Sequence, residues 1–211
     1  MNRRRLKPIV GLVGGIGAGK SRVAHAFERL GGRVLDFDQL AHEQLVDREV
    51  VAHLRQWWGD RVVGSDGRVD RSLVASIVFA DGAELARLEG LLYPRLTALC
   101  SELVVALDAD ATVVAIILDA PKLFEAGLDA QCDAIVFVDA DRKTRLERVV
   151  RSRGWDQSEF VRREKLQIPL DKKRASADYV VENHDDTERL AAQVERVFNS
   201  VLSSFTQISG G

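Results

Sequence analysis

The stretch that decides the fold is Gly14-Gly15-Ile16-Gly17-Ala18-Gly19-Lys20-Ser21. It follows the apolar run Ile9–Val13, which is typical of a buried parallel strand. After it, apolar side chains recur at helical spacing until Gly31-Gly32 ends the pattern. A strand, a glycine-rich turn and a helix in this order predict a loop that binds phosphate groups.

The residue types in this loop suit that chemistry. Main-chain N–H groups can wrap phosphate oxygens only where the chain curls tightly and carries few side chains, which favours glycine. The positive end of the following helix adds to the attraction. We expect Lys20 to reach the β and γ oxygens and Ser21 to offer its hydroxyl to Mg²⁺. The candidate residues for binding a nucleoside triphosphate are Gly15, Ile16, Gly17, Ala18, Gly19, Lys20, Ser21 and Arg22. The alternative is a glycine-rich connection with a chance Lys-Ser pair, which the flanking strand and helix disfavour.

Composition limits the class of protein. The chain has 211 residues and 46% hydrophobic content, enough for one α/β core and a small insertion. Its net charge of −2 provides no overall field for nucleic acid or an anionic membrane. Apolar runs fall short of the roughly 20 residues that span a bilayer, and the N-terminus lacks a signal-peptide core. Cys100 and Cys132 lack metal-ligand spacing. We therefore expect a cytoplasmic protein with no nucleic-acid or membrane partner.

Further short apolar runs alternate with helical patterns along the chain. An alternation of this kind predicts a parallel α/β sheet. The predicted fold class is thus α/β, a phosphate-loop NTPase core with a five-stranded parallel sheet flanked by helices. The predicted strands are Ile9–Val13, Val34-Leu35, Thr112–Asp119, Ala134–Asp139 and Asp178–Val181.

Acidic residues end two of these strands. The run Arg33–Asp38 is interpreted as a strand that ends in Asp36 and Asp38, on the edge where parallel sheets bind ligands. Asp38 is a candidate catalytic base, an N-cap for a helix starting near Gln39, or both. Asp119 would hold a metal-bound water or accept hydrogen bonds from nearby backbone, and both interpretations stay open.

The remaining segments are helical. Residues 40–110 lack further strand–helix units and are predicted to be a helical insertion carried on the core. Residues 142–175 are rich in arginine and lysine and are predicted to form a basic helical lid over the phosphates, hinged near Gly154; the alternative is an ordinary solvated surface. The nucleotide-binding core then comprises residues 1–39, 111–141 and 176–211.

From Ile9 to about Asn183 the sequence resembles the dephospho-coenzyme A kinase family. The phosphate loop alone is shared by many functions, whereas the segments after the second and third strands make the resemblance specific. The matching segments are, in chain order, Gly11-Leu12, Gly14–Ser21, Asp36-Phe37-Asp38 with Ala41, Asp66-Gly67, Asp70-Arg71, Leu73, Val78-Phe79, Leu88-Glu89, Asp119–Glu125, Arg148, Gln167, Lys173, Ala177-Asp178 and Asn183. The chain departs from the family pattern at Tyr93, Lys122 and Ser152.

The resemblance implies ATP-dependent phosphorylation of the ribose 3′-hydroxyl of dephospho-CoA, giving CoA and ADP. It implies that Asp38 orients or deprotonates that hydroxyl, that Lys20 holds the transferred phosphoryl group, and that Ser21 holds Mg²⁺. It places Arg148 in the lid as a catalytic arginine and Asn183 near the adenine of ATP. With Asp119 as the second candidate metal ligand, the expected cofactors are ATP and Mg²⁺.

Two alternatives to this function remain. The first is another small-molecule phosphate-loop kinase, acting on a nucleoside monophosphate or a metabolite. The second is a GTPase-type switch, for which Asn183-His184-Asp185-Asp186 superficially resembles a guanine-reading motif. An Asp-x-x-Gly turn for sensing the γ-phosphate is missing from the sequence, which disfavours the switch.

Overall fold

A computed structural model describes residues 5–184 and 186–209 of the chain. These residues form a parallel sheet of five strands in the order β2-β3-β1-β4-β5. The predicted α/β fold is therefore confirmed. The strands are β1 (Ile9–Gly14), β2 (Gly32–Asp36), β3 (Ala115–Asp119), β4 (Ala134–Asp139) and β5 (Tyr179–Glu182).

Helices connect these strands and extend beyond them. They are α1 (Lys20–Arg29), α2 (Phe37–Gln44), α3 (Arg48–Trp58), α4 (Arg71–Ala80), α5 (Gly82–Ala109), α6 (Arg142–Arg153), α7 (Gln157–Glu164), α8 (Leu170–Ala175) and α9 (Thr187–Ser209). The residues Phe37–Leu103 form one compact unit, and the described residues before and after this segment form the other.

The core of the sheet unit lies between the central strands and the helices α1 and α9. Each residue of β1 and of β3 is buried, as expected for strands covered on both faces. Phe27 of α1 and Phe198 of α9 meet with ring centroids 5.8 Å apart, and both belong to the buried cluster that includes Val10 and Ile117. This packing fixes the carboxyl end of β1, from which the phosphate loop departs.

The second strand ends earlier than predicted. Strand β2 stops at Asp36, and Asp38 lies in the first turn of α2 rather than at a strand end or at an N-cap position. The side chains of Phe37 and Leu40 are both buried, and this three-residue spacing gives α2 an apolar face from its first residue. The helix therefore begins directly after the strand.

The unit Phe37–Leu103 is helical, as predicted for this part of the chain. Asp47 and Asp70 cap the N-termini of α3 and α4 through their carboxylates. Trp58 is buried and its indole N–H donates to Glu84 at 2.8 Å, so this tryptophan packs within the unit. Arg95 forms ion pairs with Asp47 and Glu49.

Helix α5 is long and apolar enough, by length and composition alone, to cross a membrane. The apolar runs of the sequence did not predict this, because Arg95 and Glu102 interrupt them. A mostly buried core helix passes the same test, whereas 22% of the most apolar stretch of α5 is buried. Leu92, Leu96 and Cys100 are buried at four-residue spacing, which gives α5 a core face, and we interpret it as a packed helix.

Candidate active site

The phosphate loop spans the eight residues from Gly14, the last residue of β1, to Ser21 in the first turn of α1. Gly17 and Gly19 adopt φ angles of 77° and 85°, in the left-handed region that favours glycine. A Cβ atom on Gly17 would overlap the carbonyl oxygen of Arg145, and one on Gly19 would overlap the side-chain Nδ2 of Asn183. Both conformation and close packing therefore require glycine at these two positions.

The carbonyl groups of Gly15, Ile16 and Ala18 in the loop accept hydrogen bonds. The carbonyl of Gly15 accepts from the N–H of Ala18 at 3.0 Å, and that of Ile16 accepts from Arg145 Nη1 at 3.2 Å. The carbonyl of Ala18 accepts from Asn183 Nδ2 at 2.7 Å and from Arg148 Nη1 at 3.3 Å.

Fixing these carbonyls also fixes the next amide in each case. A trans peptide is planar, so its C=O and N–H groups point in opposite directions. The N–H groups of Ile16, Gly17 and Gly19 are consequently aimed away from the donors that hold the preceding carbonyls. A curled loop with several amides aimed outward at the start of a helix attracts anions, phosphate in particular.

The structure brings several predicted site residues together at the end of this loop. Asn183 follows β5 and is 1% exposed. Its Nδ2 donates to the carbonyl of Ala18, and its Oδ1 accepts from Arg22 Nη1 at 3.2 Å. The carbonyl of Asn183 accepts from Arg148 Nη2 at 2.9 Å. Arg22, Arg148 and Asn183 thus form one hydrogen-bonded group with Ala18 of the loop.

Arg145 belongs to the same region, although it was not among the predicted site residues. Its side chain is almost completely buried, and Nη1 lies 2.8 Å from Glu164 Oε1 as well as 3.2 Å from the carbonyl of Ile16. Arg145 and Val149 are both buried and lie four residues apart on α6. A charged residue on the apolar face of an amphipathic helix is the sequence signal that identifies it.

Lys173 is buried and forms an ion pair with Glu125; both residues match the family pattern, and neither was predicted to have a role. Lys173 is 1% exposed, and its Nζ lies 3.1 Å from Glu125 Oε1 and 3.3 Å from the carbonyl of Pro121. Burial lowers the pKa of Lys173, the carboxylate of Glu125 opposes this, and the positive charge of Lys20 adds to the lowering. Lys173 is therefore close enough to Lys20 for the charge of Lys20 to lower the pKa of Lys173.

The residues proposed for metal binding supply oxygen donors. Ser21 is exposed in the first turn of α1, and Asp119 is the last residue of β3, 7% exposed and opposite Leu12 in the register with β1. Mg²⁺ at phosphate sites takes one or two protein oxygens and completes its shell with phosphate and water. A hydroxyl and a carboxylate fit this requirement. Groups of three or more His, Cys, Asp and Glu residues suited to a metal are absent from the described part of the chain.

Asp38, the predicted base, is exposed in the first turn of α2 and belongs to the unit Phe37–Leu103. It follows Asp36 by two residues, and Asp36 lies opposite Asp119 in the parallel register of β2 and β3. The chain therefore leaves the sheet for α2 at the carboxyl edge of the strands, where ligands bind in sheets of this kind.

The parallel sheet, with a phosphate loop between β1 and α1 and basic helices after β4, defines a kinase of the phosphate-loop class. A family model described as dephospho-CoA kinase matches residues 8–189. The chain belongs to the dephospho-CoA kinase family, whose members catalyse the last step of coenzyme A biosynthesis. Membership of this family implies use of a nucleotide and of a small-molecule substrate.

Individual relatives agree with this assignment. The chain is 38% identical to a dephospho-CoA kinase of Streptomyces avermitilis, covering 92% of this chain and 93% of the relative. It is 36% identical to the dephospho-CoA kinase of Thermobifida fusca, covering 91% and 95%. A crystal structure of a Thermus thermophilus protein is 33% identical and superposes with a TM-score of 0.76, covering 94% of this chain and 97% of that protein.

Proposed function

We propose that this chain transfers the γ-phosphoryl group of ATP to the ribose 3′-hydroxyl of dephospho-CoA, giving CoA and ADP. The observation that carries the proposal is the family match over residues 8–189, which includes the phosphate loop, Asp38 and the segment Asp119–Glu125. The outward-aimed amides of the loop support ATP as the donor.

In this proposal the loop and Lys20 hold the triphosphate. The amides of Ile16, Gly17 and Gly19 bind phosphate oxygens, and the ammonium group of Lys20 neutralises charge that develops on the transferred group. Arg148 adds a positive charge next to the loop, and Asn183 and Arg22 hold the end of the loop in place. These contacts position the γ-phosphorus for attack.

The transfer itself requires a group that accepts a proton. Asp38 accepts the proton of the 3′-hydroxyl as the sugar oxygen forms its bond to the γ-phosphorus, and the bond from phosphorus to the β–γ bridging oxygen breaks, releasing ADP. Its exposed carboxylate supports this role. Ser21 and Asp119 would hold Mg²⁺, which supplies neutralisation of the β and γ oxygens when bound.

The same proposal divides the chain into a nucleotide-binding core, an acceptor-binding insertion and a lid. Residues 1–39, 111–141 and 176–211 form the nucleotide-binding core, residues 40–110 bind the acceptor, and residues 142–175 act as a lid. Gly154 ends α6 in the left-handed conformation, at a φ of 65°, which supports a turn between α6 and α7. We place the enzyme in the cytoplasm, with neither nucleic acid nor a membrane as partner.

A coupled ADP-release assay tests the proposal. With ATP and Mg²⁺ present, dephospho-CoA should be turned over in preference to AMP, CMP and shikimate. A preference for any of the last three would replace the proposed acceptor with that class of metabolite. Equal hydrolysis of GTP and ATP without an acceptor would instead favour a nucleotide-dependent switch.

A further inference from the structure

We propose that Arg145 is a positioning residue for the phosphate loop, and that its ion pair with Glu164 couples the loop to helix α7. The inference rests on the part of the proposed function in which the loop binds ATP. It requires neither dephospho-CoA as the acceptor nor Asp38 as the base.

The guanidinium of Arg145 lies directly against the loop. Its Nη1 donates to the carbonyl of Ile16 at 3.2 Å, and a Cβ atom built on Gly15 would lie 2.6 Å from the same nitrogen. The side chain is 3% exposed, so water does not replace these contacts. A hydrogen bond from a charged donor to a backbone carbonyl is about twice as strong as a neutral one.

The contact with Ile16 determines where the next amide points. Because the peptide between Ile16 and Gly17 is planar and trans, holding the carbonyl toward Arg145 aims the Gly17 N–H in the opposite direction. Gly17 has a φ of 77°, and glycine at this angle can rotate its peptide easily when nothing holds it. Arg145 therefore limits the rotation of one phosphate-binding amide without touching the phosphate.

Glu164 is the counter-ion that allows Arg145 to be buried. Its Oε1 lies 2.8 Å from Arg145 Nη1, and its Oε2 lies 3.5 Å from Arg142 Nε on the exposed side. The ring of Phe160, which is fully buried, lies under both guanidinium groups at 5.3 Å and 5.4 Å. A buried arginine without its carboxylate is strongly disfavoured. Movement of α7 away from α6 would consequently weaken the support that Arg145 gives to the loop.

Calorimetric titration of ATP and of AMP into the full chain tests this inference. The double variant Arg145→Met/Glu164→Gln removes the pair without leaving an unpaired buried charge, and it should bind ATP about tenfold to a hundredfold more weakly. AMP, which lacks the β and γ phosphates, should lose much less affinity. Wild-type ATP affinity in this variant would overturn the inference.

Two further variants separate positioning from stability. Arg145→Gln keeps an N–H donor and should recover most of the ATP affinity, which a purely structural role for the charge would not predict. The control Arg142→Met removes the other guanidinium on Glu164 and Phe160 and should leave ATP affinity within about twofold. An equal loss of ATP affinity in Arg142→Met would attribute the effect to the packing of α7 and overturn the inference.

Arg145→Gln keeps the test informative if the double variant does not fold. Glu164→Gln tests the ion pair from the side of α7 and should weaken ATP binding by about tenfold, because it releases Arg145 from its carboxylate. Unchanged binding would overturn the inference. A wild-type protein that binds ATP but does not phosphorylate dephospho-CoA would overturn the proposed acceptor and leave this inference intact.

Discussion

The phosphate loop and the helical unit Phe37–Leu103 are stabilised by different kinds of contact. The loop carbonyls are held by Arg145, Arg148 and Asn183, which lie 129, 130 and 165 residues away from their partners in sequence. In the helical unit, Trp58 and Arg95 also make distant polar contacts, but the helix N-termini are capped locally: Asp47 and Asp70 accept from amides two or three residues away. Distant polar contacts orient individual peptide groups, whereas local caps stabilise helices without fixing an amide for a ligand.

We infer from this difference that the loop serves to bind phosphate and that the helical unit supplies the group for proton transfer. A loop whose amides are fixed in advance binds phosphate without a cost of reorganisation at the moment of reaction. An exposed carboxylate on a helix, such as Asp38, is suited to accept a proton from an acceptor that arrives from solution. The predictions below test whether the two functions can be separated by mutation.

The variant Asp38→Asn is expected to have the largest effect on turnover. It removes the proposed base while preserving shape, so kcat should fall by about 10²–10⁴-fold. ATP affinity, measured by calorimetry, should stay at the wild-type value because the loop is unchanged. Glu43→Gln, which changes another exposed carboxylate of α2, is the control and should retain wild-type kcat. Near-normal turnover by Asp38→Asn would mean that positioning alone drives the transfer.

The variant Lys20→Ala should reduce both turnover and ATP affinity, whereas Asp38→Asn should reduce turnover alone. Removing the ammonium group should lower kcat/KM by about 10²–10³-fold and also weaken ATP binding, since we propose that this charge contacts the phosphates in both the ground state and the transition state. Steady-state ADP release and ATP titration measure the two effects. Arg196→Ala removes an exposed cation of α9, outside the proposed lid, and serves as control. Unimpaired ATP binding and turnover in Lys20→Ala would contradict the assignment of the phosphate loop.

The sequence predicted the sheet and the loop well because both depend on local patterns. Continuous apolar runs marked β1, β3 and β4, and the glycine spacing marked the loop. The predicted end of β2 was wrong. Phe37 and Leu40 are buried on one face of α2, so the helix begins at Phe37, and this burial depends on tertiary packing that the local sequence does not show.

The support beneath the loop could not be predicted in the same way. Arg145 was one of many arginines in residues 142–175, and its burial against Glu164 and Phe160 depends on the pairing of α6 with α7. Asn183 was matched to the family pattern, but its hydrogen bond to Ala18 depends on contact across 165 residues. Spacing within a helix identifies a candidate, whereas its partner requires the fold.

A smaller effect is expected from Gly19→Ala. Comparing it with Gly127→Ala separates the effect of backbone conformation from the effect of a contact with Asn183. Gly19 and Gly127 both have positive φ angles, 85° and 67°, so alanine at either position should cost about 1–2 kcal/mol of stability. Among the described residues, a Cβ atom on Gly127 would meet nothing within 4 Å, whereas one on Gly19 would meet the side-chain amide of Asn183. Only Gly19→Ala should weaken ATP binding, by about tenfold, as one amide is displaced. Equal ATP affinity in the two variants would show that the loop tolerates the displacement.

The smallest effect is expected from the cap of α6, the helix that carries Arg145 and Arg148. Hydrogen bonds from the side chain and backbone of Thr144 hold the pKa of Asp141 below its ordinary value of 3.8. A carboxylate with a lowered pKa in the folded state contributes stability that is fully present above 3.8 and is lost as the pH falls through the folded pKa.

Asp141→Asn isolates the charge in this cap, because asparagine still offers a side-chain oxygen to the amide of Thr144. Urea unfolding should show the wild type to be more stable than Asp141→Asn at pH 7, and the difference should shrink as the pH falls below 3.8. We expect Asp141→Asn also to bind ATP more weakly, because α6 carries Arg145 and Arg148, which contact the loop carbonyls of Ile16 and Ala18. A stability difference that is the same at pH 7 and at about pH 3 would assign the cap to shape rather than charge. Wild-type ATP affinity in Asp141→Asn would mean that the loop owes its orientation to Arg145 and Arg148 without help from the capped end of α6.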